Sequence, residues 1–520
     1  MEALLSQLLA FPPHPPPTQP LPDAEYEKQI KTILQILNQT PANLLLGGVA
    51  GGGDLLNVFV PSRHTIPYLY TLLAHIHAVA LSPEDSARPG VSLVLPDWKL
   101  WPKIVEFLEQ FDPIQVRYAG LEWRRVLETA TNTAIYWNNP AMAIDPVQTA
   151  ILRLDPTAST YTSNHNLFAQ LCLLGGSYPP ALPVIDNIIR HFPDTPEDYI
   201  PSVSIQASIN EIRPGALLTI TTGSGLTGAV TYQEFLQYSL WCAQIYIGLR
   251  QWEKAEITLA SIIMAPVDNA VSNLMVIAYK RWVLVRLLSG GDAKTMPRAT
   301  SHLAAKAYRA AARHYDVLVD TYFKGSIDEL IAEIEAGKEI WQTDSNEGLT
   351  LELLESRRRY AIIKLEEIYS ALSLEEVGQL TSALPADPAR AQEYILSLIR
   401  DRHLNASLEC RDSKPPATSN DGLELKQPSN TVLCFASDST TGPLAVSEEE
   451  QFQELQETTA RVLALADQVK EMDVRMSLRK DFVDFSRRSR RGMGTKDQPG
   501  SGPEPPWEEM PMDEDLMEEY

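Results

Sequence analysis

Apolar residues recur at three- and four-residue intervals through most of the chain, the period of helices with one buried face. In 65–79, Ile66, Leu69, Leu72, Leu73 and Ile76 share a helical face, and in 101–111 Ile104, Phe107, Leu108 and Phe111 do the same. Segments 275–288 and 309–322 continue as apolar-faced helices, and 351–372 reads as one long amphipathic helix. The strict alternation of a half-buried strand is scarce in the first 160 residues, where 91–95 is the exception.

A weak repeat runs through 160–345. Residues 167–183 read LFAQLCLLGGSYPPALP and 239–256 read SLWCAQIYIGLRQWEKAE. Tyr178 aligns with Trp252 and Ala181 with Ala255, a separation of 74 residues. That is about two units of the 34–40 residues usual in helical-repeat proteins. A tight turn ends one helix, an aromatic starts the next, and a small alanine lets the two pack closely. One such hairpin cannot cover its own apolar face, so hairpins stack into a solenoid.

After residue 345 the pattern changes. Ser373-Leu374-Glu375-Glu376 is a capping box that starts a short helix with Leu374, Val377 and Leu380 inward. Pro388 opens the next helix, which carries Tyr394, Ile395, Leu398 and Ile399. Two short strands follow, Ala406-Ser407-Leu408 and Thr431 to Phe435, separated by a polar excursion over 411–430. Helix, helix, helix, strand, long loop, strand is the order of a winged helix, and its edge strand invites strand addition. A last helix spans 448–479. Leu455, Val462, Val469 and Met476 lie seven apart, and Phe452, Thr459 and Ala466 fill the paired positions. This seam is longer than the small module before it can cover, and it reads as a contact with helices of other chains.

The expected fold is therefore mainly α: an arm over 1–22, a helical region over 23–160, a TPR-like α-solenoid over 161–345, a winged-helix module over 346–436, the helix at 448–479 and a tail over 480–520. The arm is extended, with seven prolines in 12–22. The tail is disordered: 504–520 hold eight acids and no base. Its Arg487–Arg491 run reads as a solvated basic stretch, a nuclear import signal, or a kinase site at Ser489.

Charge and composition narrow the function. The net charge of −23 disfavours work on a phosphate backbone. The winged-helix segment 357–436 is balanced, with ten Lys/Arg against eleven Asp/Glu, so Arg400, Arg402 and His403 would release few counterions. No nucleic-acid partner is expected. No apolar run approaches a membrane span, and the start of the chain lacks the basic residues of a signal peptide. Cys172, Cys242, Cys410 and Cys434 form no C-x-x-C pair and read as buried, reduced thiols. The expected compartments are cytoplasm and nucleus.

Motifs for catalysis are incomplete. Gly223–Gly228 reads GSGLTG, the letters of a dinucleotide fingerprint after a strand-like run at 216–222. The capping pair Thr231 and Glu234 starts the helix after the third glycine, and another helix follows it, so an inter-helix loop is the favoured reading and a dinucleotide enzyme the remote one. Gly47-Gly48 and Gly51–Gly53 lack a following Lys-Ser/Thr. His75-Ile76-His77 matches the start of a zinc isopeptidase motif, but Asp85 and Arg88 stand where it needs Ser and Asp. No catalytic residue, cofactor or metal ligand is expected.

A helical-repeat stack ending in a winged helix resembles the PCI-domain subunits of the proteasome lid, the signalosome and translation initiation factor three. Within that family, 161–186 (YTSNHNLFAQLCLLGGSYPPALPVID), 246–255 (YIGLRQWEKA) and 265–285 (APVDNAVSNLMVIAYKRWVLV) resemble the subunit-three branch of the COP-nine signalosome. The resemblance covers about residues 140–480. It implies a scaffold without an active site, in a complex that deneddylates cullins and so regulates cullin-RING ubiquitin ligases through a zinc isopeptidase in another subunit. It further implies that winged helices line up edge to edge, with Ala406, Ser407, Leu408, Thr431, Val432, Leu433 and Phe435 contributing here and subunits one and eight as neighbours. Phe452, Leu455, Val462, Val469 and Met476 would face a common helical bundle. A lid or initiation-factor scaffold is the nearer alternative.

Overall fold

The structure is a computed structural model and describes residues 2–11, 23–47, 54–80, 100–193, 220–267, 270–290, 293–381, 384, 388–401, 403–410, 431–436, 445 and 447–478. The expected strand at 91–95, the loop at 411–430, the tail and residues 12–22 of the expected disordered arm lie outside these, whereas the start of that arm is a helix, Glu2–Leu9, with Leu8 and the following Phe11 buried. The chain divides into two compact units, Met1–Glu197 with Ser202–Ala445, and Asp198–Pro201 with Val446–Tyr520.

In the first unit, ten helices precede residue 190 among the described residues. They are α1 (Glu2–Leu9), α2 (Asp23–Gln39), α3 (Ala42–Leu46), α4 (Thr65–Ala80), α5 (Leu100–Gln110), α6 (Pro113–Val116), α7 (Gly120–Tyr136), α8 (Ala141–Leu154), α9 (Ser163–Gly175) and α10 (Leu182–Ile185). Eight more follow: α11 (Tyr232–Gly248), α12 (Trp252–Ile263), α13 (Asn273–Leu288), α14 (His302–Ala311), α15 (Arg313–Lys324), α16 (Ile327–Ala336), α17 (Lys338–Thr343) and α18 (Glu347–Ile363). Helices near in sequence pack on one another, as α7 on α8, α8 on α9, α11 on α12 and α12 on α13, the contact pattern of an α-solenoid, and longer-range pairs such as α5 with α8 and α13 with α18 join the stack.

Local chemistry sets the starts of these helices. Thr231 Oγ1 accepts from the Glu234 N–H at 3.3 Å, and the Glu234 carboxylate accepts from the Thr231 N–H at 2.7 Å. The repeat seen in the sequence becomes a packing unit. A Cβ on Gly248 would strike the Tyr178 ring, so the aromatic of the first hairpin sits on the bare backbone of the second. Ala181 and Ala255 are both fully buried. The Tyr246 hydroxyl donates to Ile185 O at 3.0 Å and Asp186 Oδ1 at 2.9 Å, joining the same two hairpins.

Two expected helices break. Segment 309–322 is not one helix: Ala312, at φ −123° and ψ 33°, separates α14 from α15. No proline or glycine marks the break. Tertiary packing imposes it, because Tyr308 stacks on Tyr279 at 5.0 Å while Tyr315 meets Trp341 edge-on at 4.9 Å. Likewise 351–372 ends as a helix at Ile363 and turns, and Leu372 lies in a strand opposite Leu433.

That strand is β1 (Ala371–Ser373), followed by α19 (Leu374–Thr381), α20 (Pro388–Arg400), β2 (Ala406–Cys410) and β3 (Thr431–Phe435). The sheet is antiparallel with order β1-β3-β2, so Leu433 faces Leu372 on one side and Leu408 on the other. With α18 before β1, this is the topology of a winged helix. Ser373 and Glu376 exchange the two bonds of the capping box, at 2.9 and 3.3 Å. Val377, Ile395, Leu398, Leu404 and Leu433 make the centre of a small second core, joined by Ile327 from α16 and Ile362 from α18. The larger core runs from Leu8 to Leu353. Thus α16 and α18 each supply both cores.

The described helix of the second unit is α21 (Glu448–Leu478), opened by a Ser447–Glu450 capping pair. Its 31 residues extend about 46 Å. Among the described residues, no helix is long and apolar enough to cross a membrane.

Candidate assembly surfaces

The winged-helix sheet redistributes the expected edge residues. Ala406, Ser407 and Leu408 lie on β2, an edge strand whose outer side no described strand pairs. Thr431, Val432, Leu433 and Phe435 do not lie on an edge. They belong to β3, which is hydrogen-bonded on both sides. The sequence showed two strands, and any pair has two edges. The third strand, three residues cut from the end of an apparent helix, moved β3 to the centre. The second free edge is β1, and just before it Ile368 and Tyr369 are exposed at 72% and 37%. Within the sheet, Thr431, Leu433 and Phe435 point into the core, while Val432 and Cys434 are half-buried on the other face.

On α21 the seam residues Phe452, Leu455, Val462 and Val469 are all more than half exposed, and Met476 lies in the same helix. Sequence reasoning missed Leu463, Leu465, Met472 and Val474, which are also exposed. Leu465 and Met472 sit three residues after Val462 and Val469, which is the spacing of the two apolar positions in a heptad seam.

The junction between repeats and winged helix is a polar clasp that the sequence did not advertise. Asp344 accepts from Lys280 Nζ at 2.7 and 2.8 Å and from the Tyr315 hydroxyl at 2.9 Å. Asn346, itself buried, donates from Nδ2 to the Tyr315 oxygen at 2.8 Å and accepts from Arg281 Nε at 3.4 Å. Burial pushes the Tyr315 hydroxyl well above its ordinary value. Arg250, on the turn after α11, meets Glu352 on α18 at 3.0 Å. The first half of α18 is thereby tied to α11, α13 and α15, and its second half enters the winged-helix core. The signal available was a Lys-Arg pair in the middle of a mainly apolar helix.

The glycine-rich loop is no nucleotide cradle. Of the strand-like run at 216–222, residues 216–219 lie outside the described residues, and Thr222, its last, opens a single 3-10 turn over Thr222–Ser224. A Cβ on Gly225, at φ +77°, would come within 2.6 Å of the Leu121 amide, and one on Gly120 would overlap Ser224 O. The loop amides are already used: Gly228 N donates to Ser163 Oγ at 2.9 Å and Gly225 N to Thr222 O at 3.2 Å. The loop straps the starts of α7 and α9, where Leu226 is fully buried and Asn164 Nδ2 donates to its carbonyl at 3.0 Å.

His75 lies on α4, with Nε2 3.4 Å from Asp54 Oδ1, and Asp54 caps a short 3-10 turn. Among the described residues, no group of three His, Cys, Asp or Glu is placed to hold a metal. Cys172 and Cys242 are buried, and burial pushes each thiol up to about 12. Cys434 is only half-buried, a correction to the expectation of four buried thiols; the side chain of Cys410 is outside the described residues.

Stacked helical hairpins, a terminal winged helix joined by a shared helix, and an exposed apolar stripe define a helical-repeat protein that offers surfaces to other proteins. The family model for the N-terminal helical repeats of COP9 signalosome complex subunit 3 matches residues 27–304. The chain is 31% identical over 409 residues to COP9 signalosome complex subunit 3 of Emericella nidulans, covering 78% of this chain and 80% of that one. It is 26% identical to the Neurospora crassa protein of that name, covering 80% and 81%, and 23% identical to that of Arabidopsis thaliana, covering 68% and 70%. The chain belongs to the COP9 signalosome subunit 3 family.

Proposed function

We propose that this chain is a non-catalytic scaffold subunit of a signalosome, the complex that removes a ubiquitin-like modifier from cullins and so regulates cullin-RING ligases. The observation that carries the proposal is the family match over 27–304, joined in one chain to a winged helix and to an exposed apolar helix. In this reading the winged helix is a PCI module. The free edges of β1 and β2 meet neighbouring modules, those of subunits one and eight, by edge-to-edge contact that needs no basic surface. The α21 stripe enters a bundle of C-terminal helices. The complex works in cytoplasm and nucleus. The chain itself needs no cofactor, and it touches neither nucleic acid nor membrane.

Tagging the chain in its native host and identifying what co-purifies by mass spectrometry tests this. Near-stoichiometric recovery with a zinc isopeptidase subunit, and with cullins, is expected. Recovery with proteasome-lid or initiation-factor subunits would overturn the assignment while keeping the scaffold role. A lone monomer would overturn both.

A further inference from the structure

Several cations of the helical repeats sit on carboxylates. Arg124 pairs with Glu128, Lys254 with Asp186, Lys280 with Asp344, Arg286 with Glu256 and Lys294 with Asp320. In a chain with 67 acids and 44 Lys/Arg, that is the default.

Arg357 and Lys364 are held by aromatic rings instead. The Arg357 guanidinium lies 5.9 Å from the ring centres of both Tyr322 and Tyr360, and Lys364 Nζ lies 5.3 Å from that of Tyr360. Among the described residues neither has a carboxylate within salt-bridge distance; Lys364 feels Glu367 only as a weaker influence than the Tyr360 hydroxyl. The two cations are seven residues apart, two helical turns, so they share a face with Tyr360 between them. Tyr322 is buried beneath Arg357, and Phe323 stands edge-on to it at 5.3 Å with 38% exposure. Four residues after Lys364, Ile368 is exposed at 72%.

A guanidinium laid on a ring face is held without using its N–H donors, which point outward in its own plane. It is set to take a carboxylate with two parallel bonds. Arginine and tyrosine beside exposed apolar side chains are also the composition of interface hot spots.

We propose that Arg357, Tyr360 and Lys364, flanked by Phe323 and Ile368, form a docking face for an acidic segment of another polypeptide with apolar residues between its carboxylates. Seven helical residues span about 10 Å, which matches carboxylates three apart in a polyproline II chain or seven apart in a helix. Charge favours such a segment over a nucleic acid. Two cations on a chain of net charge −23 offer little counterion release against a uniformly charged polyanion, whereas two carboxylates match them one for one.

The test uses the purified full chain and a fluorescein-labelled dodecapeptide, four repeats of Glu-Leu-Pro, read by fluorescence anisotropy. Binding at least about tenfold tighter than to the same peptide with Gln for Glu is expected. The R357E/K364E variant should lose about tenfold or more and R357K about threefold or more, since Lys cannot make the two parallel bonds, while the exposed-site control K306E changes it less than about threefold. An unchanged melting temperature in R357E/K364E separates lost docking from lost fold. No preference for Glu over Gln, or equal loss in K306E, overturns the proposal. So does tighter binding of a twelve-nucleotide single-stranded DNA through the same residues. A chain ending at residue 503 that binds about tenfold better would show that its own acidic tail is the occupant, which also overturns it. No other subunit is present, so the result is independent of the co-purification above.

Discussion

Lys280 Nζ lies 2.7 Å from Asp344 Oδ1, although 64 residues separate them in the chain. Both side chains are less than one-fifth exposed. The pair closes the turn that launches α18, and α18, like α16, contributes to both the solenoid core and the winged-helix core. One nearly buried charge pair, with the Tyr315 and Asn346 groups around it, therefore helps to fix the direction in which the winged helix leaves the solenoid.

Removing the cation should be costly. Lys280→Met leaves the Asp344 carboxylate facing Tyr315 without a counter-charge, and urea denaturation should show a loss of about 3 kcal/mol. Adding Asp344→Asn should cost less than the sum of the single changes, by about 1 kcal/mol or more. Additive losses would mean that the two residues act separately.

His165 should make the protein acid-sensitive. Its Nδ1 accepts from the Thr162 N–H at 3.2 Å, and Nε2 has no hydrogen-bond partner among the described residues. Burial lowers its pKa to about 4, against the weaker opposing pull of the Asp155 carboxylate. The unfolded chain takes the proton near pH 6.5 and the folded chain only near 4. Stability present above pH 6.5 is therefore lost as pH falls toward 4, by about 3 kcal/mol for this one group. Stability measured across pH 4–7 should show the slope, and His165→Gln should flatten it.

The glycine loop gives a contrast between neighbours. Gly225→Ala places a Cβ against the Leu121 backbone at a positive φ, and it should cost about 2 kcal/mol or more. At Gly223 the nearest outside atom is Thr221 Oγ1 at 3.8 Å, so Gly223→Ala should stay within about 0.5 kcal/mol. Thermal shifts of the two variants check this. A dinucleotide at millimolar concentration should move neither wild type nor variants.

The α21 stripe should matter only in company. Leu455 and Val462 are 62% and 57% exposed, so Leu455→Asp with Val462→Asp should leave the melting of the isolated chain unchanged. If the stripe is buried in a complex, each side chain forfeits about 2 kcal/mol of burial, and co-purification with other subunits should disappear. Retained incorporation would rule out the bundle contact.

Helices α4, α5 and α13 were readable with their buried faces because local spacing alone determines which residues line up. Capping pairs marked the starts of α11 and α19 for the same reason, since the partners are three residues apart. The break at Ala312 and the end of α18 at Ile363 carried no local mark. They follow from where Tyr308, Tyr315 and Leu372 find partners elsewhere in the chain. The candidate edge was half legible: β2 and β3 showed their alternation, but their order depended on β1.

By itself, the sequence determined a helical-repeat chain with a winged-helix order of elements and an apolar helix near its end. Periodicity and capping are short-range, and they suffice for that. Only the tertiary structure decided that β3 is central, that GSGLTG is a strap, and that Lys280, Asp344, Tyr315 and Asn346 form one clasp. Those facts rest on partners dozens of residues away, where hydrogen bonds and close packing, rather than local spacing, select the arrangement.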